Sequence, residues 1–463
     1  MISDLKSYTE FKDTSISWLG ELPAGWSVCR NGSLFVQRTE TGFSDLPILE
    51  VSLKTGVRVR EFGRSSRKQI MEDRTKYKRA SCGDLAYNMM RMWQGAVGVA
   101  PVDGLVSPAY VVARPLPGVL PNYFAYLFRT DAYMGEVDNY SRGIVKDRNR
   151  LYWEQFKQIQ TPCPPPAEQA AIVRFLNHAD RQIRRYIRAK QKLIKLLEEQ
   201  KQAIIHRAVT CGLDPSVRLK PSGVEWLGDV PEHWEVLRCR YIFREYDVRS
   251  AHGSEQHLSM SQRLGLVPSN LVENRTLVSE SYAGGKLCEV GDLVLNRLKA
   301  HLGVFALARH EGVISPDYTV LRPHEPIGIE FFERVLRSPS CRHELWVRAK
   351  GIVEGFWRLY TNDFYDIRLP VPPPQERSEI VSCLLSETMG VEQAIQKANR
   401  EIVLLNEYRT RLIADVVTGK LDVREAAAGL PQEVIDEDFV EDDVVEDPEA
   451  GEEEIDLNDD ADM

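Results

Sequence analysis

The sequence predicts an α/β (α+β) protein built as an internal pseudo-twofold repeat. Two similar globular heads are separated by two long antiparallel coiled-coil helices. Three observations carry this. A set of short motifs recurs at one constant shift of 208 residues. After each head the pattern changes to helical apolar spacing, and the first such stretch, 168–209, contains no Gly or Pro. The segments before those stretches are rich in aromatic and β-branched residues and broken by Gly and Pro, as short strands and turns require. Domain by domain, the first head covers 1–163, the first helical spacer 164–212, the second head 213–371, the second spacer 372–422, and an acidic, disordered tail 423–463.

The repeat comes first because it governs every other element. Residues 18–30 read WLGELPAGWSVCR and residues 226–238 read WLGDVPEHWEVLR, with seven of thirteen positions identical and both tryptophans kept. The same shift relates Gly83-Asp84-Leu85 to Gly291-Asp292-Leu293 and Asn88 to Asn296. It relates Ser107-Pro108 to Ser315-Pro316, Arg150-Leu151-Tyr152 to Arg358-Leu359-Tyr360, and the triplet 164–166 to 372–374. Inside the heads, strands are expected over 105–114 and 312–322 and one helix each over 121–130 and 329–338. Gly83 and Gly291 suit turns that need a left-handed backbone. The four tryptophans at 18, 26, 226 and 234 suit packing anchors.

Residues 168–209 contain neither Gly nor Pro, and apolar residues recur at Ile172, Leu176, Ala179, Ile183, Ile187, Leu193, Leu197 and Ile204. The second copy offers Ile380, Leu384, Val391, Ile395, Ile402, Leu405 and Leu412. A narrow seam of this kind cannot be buried by one helix alone, so the two helices are expected to pair. Because the chain returns to a head after the first helix, the pairing is antiparallel. Lys190 and Gln200 are polar positions on the seam suited to fixing its register. About 40 helical residues span ~60 Å.

Charge is unevenly distributed. The chain carries a net −9, yet residues 431–463 hold seventeen Asp or Glu and no Lys or Arg, so the body up to residue 430 is basic at +8. A basic body suits a nucleic-acid partner. A like-charged tail poor in aromatics suits disorder, with solubilising, DNA-mimicking and partner-binding roles open to it. Cys29, Cys82, Cys163, Cys211, Cys239, Cys288, Cys341 and Cys383 are scattered, with no CxxC pair and no nearby histidine cluster. Reduced thiols are therefore expected rather than a zinc site. No run is long enough to span a bilayer and the first residues lack an apolar signal core, so a cytoplasmic protein without a membrane partner is expected.

Catalytic motifs are missing. The proline triplets follow Cys163 and Val371, where an adenine methyltransferase loop needs Asn or Asp before its prolines and an aromatic after them. Gly285-Lys286-Leu287 and Gly419-Lys420-Leu421 lack the hydroxyl of a phosphate-binding loop. No GxSxG elbow or HExxH pair occurs. The reading is of a non-catalytic chain.

The residues suited to DNA are Arg and Lys on loops, with Asn and Gln able to read base edges. In the first head these are Lys54, Arg58, Arg64, Arg67, Lys68, Arg91, Arg142, Lys146 and Arg148. In the second they are Arg263, Arg297, Lys299, Arg348 and Lys350. Residues shared by both copies, such as Asn88/Asn296 and Arg150/Arg358, serve the common fold at least as readily as they read bases. Base readers should differ between heads, as Arg91/Lys299 and Arg142/Lys350 do. A solvated basic face fits the same pattern.

The W-L-G-x-x-P-x-x-W opening (18–26, 226–234), the G-D-L-x-x-N block (83–88, 291–296), the P-P-P-x-E-Q block (164–169) and the duplication of the whole set resemble type I restriction–modification specificity subunits. The likeness covers residues 14–422. The second copy of the last block departs, reading P-P-P-Q-E-R over 372–377. The resemblance implies that each head is a target-recognition domain reading one half of a bipartite site in double-stranded DNA. It implies that the helices act as a ruler and dock two methyltransferase subunits, with restriction subunits joining outside. Ile172, Leu176, Ile183, Ile380, Leu384 and Val391 are the helix positions expected to serve that docking. The assembled complex would methylate adenine at N6 and cleave unmodified DNA with ATP hydrolysis. S-adenosylmethionine, ATP and magnesium would belong to the partner chains, and no cofactor or metal to this one. Taken on their residues alone, the repeats leave two other readings: a freestanding DNA-binding regulator, and a coiled-coil scaffold for protein interactions.

Overall fold

The 208-residue shift holds down to single backbone pairings. The computed structural model describes residues 5–53, 55–60, 74–143, 149–261, 264–272, 282–351 and 357–431. It divides into two units, one formed by residues up to 188 together with those from 402 on, the other by residues 189–401.

In the first unit the head is organised on a four-stranded antiparallel sheet in the order Phe35–Arg38, Tyr110–Pro115, Leu85–Asn88, Val97–Val99. Tyr110 stands opposite Asn88. Both faces of this sheet are covered, so its inner strands are apolar throughout rather than alternating. Leu85, Tyr87, Val111 and Ala113 point into the main core beside Tyr123, Phe124, Leu127 and Phe128 of the helix Pro121–Phe128. Their neighbours Ala86 and Val112 point the other way, into a smaller core closed by Leu49 and Val57 of a hairpin. Before the strand Leu85–Asn88, Gly83 adopts φ +88, the conformation its turn demands.

The second unit repeats this. Its sheet runs Phe243–Glu245, Tyr318–Pro323, Leu293–Asn296, Phe305–Leu307, with Asn296 opposite Tyr318 and Gly291 at φ +93. Leu293 and Leu295 enter its main core and Val294 the smaller one. Trp26 and Trp234 are buried at 1% and 0% exposure, as packing anchors should be. The stretches 105–114 and 312–322 are each two strands rather than one. Ser107-Pro108 and Ser315-Pro316 interrupt them, since proline supplies no ladder donor. A second helix follows the expected one in each head, Asp131–Tyr140 and Pro339–Arg348, capped by Thr130 and Ser338 through their hydroxyls.

The two long helices are Pro166–Cys211 and Pro374–Val417. At 46 residues the first is about 69 Å long. Each contributes to both units, and within each unit they pair antiparallel. In the first unit Arg409 bonds Asp180. In the second, Lys190 pairs Glu401 at 2.6 Å and Lys201 pairs Glu392 at 2.5 Å. Lys190 is thus a register contact, whereas Gln200 is exposed and takes no place in the seam. Leu193 is also a correction: it is 42% exposed, and Ile194 beside it is half-buried instead.

Near the heads the helices merge with head cores. Ile172, Leu176 and Ala179 of the first helix and Leu412, Val416 and Val417 of the second share one core with Trp26 and Tyr123. In the second unit Ile380 and Leu384 join Ile205 and Val209 around Trp234. The tail boundary at 423 shifts as well. Val423 and Ala427 are buried in the first head's core, and Arg424–Ala428 is helical. Asp422 donates its amide to the Lys6 carbonyl at 2.8 Å, so the two ends of the described chain are stitched together. Residues 432–463, the bulk of the acidic stretch, lie outside the described residues.

Candidate nucleic-acid interface

At the end of each central strand the chain makes one tight turn, and the asparagine there builds it. The Asn88 Oδ1 accepts the Met90 amide at 2.9 Å and the Asn296 Oδ1 accepts the Leu298 amide at 3.1 Å. These are Asx turns, so the repeated asparagines serve the fold. A short 3-10 turn follows in each head, closed by Gly95 at φ +84 and Gly303 at φ +79. Arg91 sits on the first of these turns, and Arg297 and Lys299 on the second.

A rim runs beside the turn. Arg142 and Arg150 exchange both backbone hydrogen bonds, at 3.0 and 2.9 Å, and Lys350 and Arg358 do the same at 2.9 and 2.8 Å. The rim is tied to the turn by Leu151 donating to the Met89 carbonyl and Leu359 to the Arg297 carbonyl, each at 2.9 Å. Turn and rim therefore form one surface in each head, with Arg142, Arg150, Lys350, Arg358 and Lys299 exposed and Arg91 half-buried. In the first head Arg129 links the hairpin Leu49–Ser52 and Gly56–Val59 to the turn, donating to the Leu53 carbonyl while its Cα lies 3.8 Å from where a Cβ on Gly95 would stand.

Several of these cations are held by carboxylates of their own head. Arg58 pairs Glu50 at 2.5 Å, Arg348 pairs Glu344 at 2.6 Å and Lys350 pairs Asp363 at 2.5 Å. Arg297 donates to the Asp317 carbonyl at 2.7 Å. Exposed ion pairs of this kind are worth only ~0–1 kcal/mol, so they orient the side chains without holding them tightly. Lys54, Arg64, Arg67, Lys68, Lys146, Arg148 and Arg263 lie outside the described residues.

The Gly-Asp pair serves the scaffold. Asp84 and Asp292 are buried at 2%, and each caps its own turn by accepting the amide of Ser81 or Glu289. Asp84 is neutralised by Arg38 at 2.7 Å and Asp292 by Arg322 at 2.9 Å. The hydrogen bond to Asp292 raises the Arg322 guanidinium further above its ordinary value.

The helix positions expected to dock partners are used within the chain. Ile172, Leu176, Ile183, Ile380 and Leu384 are at most 4% exposed, and Val391 is half-buried. Outward apolar residues of the helices include Tyr186 and Leu404 in the first unit, each 60% exposed, and Leu196, Leu385 and Met389 in the second. Helical apolar spacing marks the buried stripe and gives no signal for these outward positions.

Among the described residues no group of three or more His, Cys, Asp or Glu is placed to hold a metal, and no helix is long and apolar enough to cross a membrane. All eight cysteines are free.

These features define a class of protein: two copies of one α/β head, each with a basic turn-and-rim surface, carried on a pair of antiparallel helices. No family model and no curated protein matches the sequence. Solved structures do. A chain from a structure described as the structural basis underlying complex assembly and conformational transition of the type I R-M system is 16% identical, with a TM-score of 0.62. The match covers 86% of this chain and 99% of that one. The HsdS subunit from Thermoanaerobacter tengcongensis is 16% identical over 86% of this chain and 96% of its own, with a TM-score of 0.46. The type I restriction–modification S subunit from M. genitalium is 13% identical over 84% and 96%, with a TM-score of 0.34. The chain has the fold of the first of these over nearly the whole length of both.

Proposed function

We propose that this chain is the DNA-specificity subunit of a type I restriction–modification complex. Each head reads one half of a bipartite target in double-stranded DNA. The observation that carries the reading is the fold shared with a type I R-M chain over 99% of that chain, combined with basic turn-and-rim surfaces at matching places in both heads. Because the heads are one fold with different exposed side chains, they suit two different half-sites.

Two methyltransferase subunits, and restriction subunits outside them, assemble on the long helices through outward residues such as Tyr186, Leu196, Leu404 and Met389. The adenine-N6 methylation and ATP-dependent cleavage belong to those partners, together with S-adenosylmethionine, ATP and magnesium.

The test is to purify the tagged full-length chain from its own host, identify what accompanies it, and select binding sites from a randomised duplex pool. The expected result is co-purification of a methyltransferase subunit and enrichment of two short sequences around an unspecified gap. Enrichment of one uninterrupted motif without a methyltransferase would favour a freestanding regulator. Protein partners with no DNA selected would favour a scaffold.

A further inference from the structure

The helix Pro339–Arg348 of the second head presents an outward stripe that the first head lacks. Arg342 and Trp346 lie four residues apart on one helical face, and Lys350 follows just past the helix end. Trp346 is 47% exposed, although tryptophan is usually highly buried. The indole is held in place: His343 stacks beside it at 5.8 Å, and Trp357, next to the rim, meets it edge-on at 6.1 Å.

At the matching positions of the first head stand Met134, Asp138 and Arg142, and Asn149 in place of Trp357. There Asn149 donates to Asp138 at 3.0 Å. The brace between helix and rim is thus kept in both heads, acidic and polar in one, aromatic and flanked by cations in the other. A fold requirement is met by either pair, so the exposed indole answers to something outside the head.

The stripe continues the basic surface described above. The Arg342 Cδ lies 3.2 Å from where a Cβ on Gly303 would stand, which sets it against the turn that carries Lys299. On the other side Lys350 is bridged to Arg358. Of the acids beside the stripe, Glu344 is held by Arg348, and Asp363 by Lys350 itself in an exposed pair that a phosphate would displace.

We propose that Arg342, Trp346 and Lys350 form a duplex-DNA contact specific to the second head. The indole wedges against a base step and the two cations take the flanking phosphates. This rests on the reading of the chain as a DNA-specificity subunit. It makes Trp346 a specificity-determining residue of one half-site only.

The experiment uses the full-length chain with its bound partners and the duplex selected by the wild type. Trp346→Ala should weaken binding about tenfold, the scale of losing one aromatic–base contact. On repeating the selection, it should blur one half of the motif and leave the other sharp. Trp346→Phe should keep most of the affinity. Changing Arg342 and Lys350 together to Ala should lower the slope of log affinity against log salt by about 2. An unchanged melting temperature for Trp346→Ala would separate a lost contact from a lost fold. Wild-type affinity with both halves intact in Trp346→Ala would overturn the contact while leaving the DNA reading in place. Loss of a co-purifying subunit with DNA affinity retained would also overturn it, making the stripe a protein dock. Failure of the wild type to select any duplex would remove the DNA reading itself, and the contact with it.

Discussion

The two heads solve the same packing problem with different chemistry at matching positions. In the first, Asn31 donates to the Tyr133 hydroxyl at 2.8 Å and the Phe156 carbonyl at 3.0 Å, and Thr161 donates to Asn31 at 2.7 Å. The residues 208 further on are Cys239, Cys341 and Leu369, all buried and apolar in character. Burial pushes both thiols up from their ordinary value, which keeps them protonated and inert. A fully satisfied buried network has been exchanged as a set for a dry one, because a half-exchanged set would leave an unpaired polar group.

The buried Asp pair follows the same rule. Arg38 reaches Asp84 from the edge strand of the first head, while Asp292 is reached from the neighbouring strand by Arg322, which lies over Tyr246 at 3.8 Å. Tyr246 occupies the position matching Arg38. At the head–helix junction, Glu376 accepts from the Trp234 indole at 3.0 Å and lies 2.8 Å from His233. Its counterpart Glu168 accepts from Tyr8 at 2.5 Å, and the Trp26 Nε1 has no hydrogen-bond partner among the described residues. The difference teaches that the backbone is held constant while whole groups of contacts change.

The largest expected effect tests whether the heads are equivalent in their anchors. Trp26→Ala and Trp234→Ala should each cost ~3–5 kcal/mol, read by denaturant unfolding, since both rings are fully buried. A large gap between the two would break the equivalence. Next, Asp84→Ala and Asp292→Ala should each cost about 2 kcal/mol, because the turn loses its buried cap while Arg38 and Arg322 keep Glu40 and Glu289.

A transplant sharpens the comparison further. Cys239→Asn alone should destabilise by ~1–3 kcal/mol, as an unsatisfied amide enters a dry site. Adding Cys341→Tyr and Leu369→Thr should recover part of that loss, which a double- and triple-mutant cycle measures. Purely additive costs would show that the three positions do not act as a set. The smallest effect concerns the indoles: Trp234→Phe should cost about 1 kcal/mol more than Trp26→Phe, because only the former gives up a hydrogen bond.

Much of the architecture was legible in the sequence because it rests on period and repetition. The shift of 208 residues is plain repetition, and the helical apolar spacing and the glycines at 83 and 291 follow from local rules. What stayed hidden depends on contacts between distant residues. Leu193 fits the heptad by spacing yet faces outward, while its neighbour Ile194 is the half-buried residue. Val423 and Ala427 read as the start of an acidic tail, but they are buried against the first head. Arg377, where the second proline block departs from the first, is explained only in three dimensions. It is 2% exposed and reaches Glu325 at 2.5 Å, whereas its counterpart Gln169 accepts the Leu120 amide at 3.0 Å. Trp346 carries a signal in the sequence, since it differs between the copies, but charge alone does not mark an aromatic contact.

The central claim is that two unlike heads read two half-sites for a methyltransferase. Mapping of methylated adenine in the source genome, with the gene present and deleted, tests it most directly. The account predicts that deletion abolishes methylation at one split motif, two short sequences around an unspecified gap, and leaves other methylated sites unchanged. An identical methylation map in both strains, with the partner genes expressed, would contradict it.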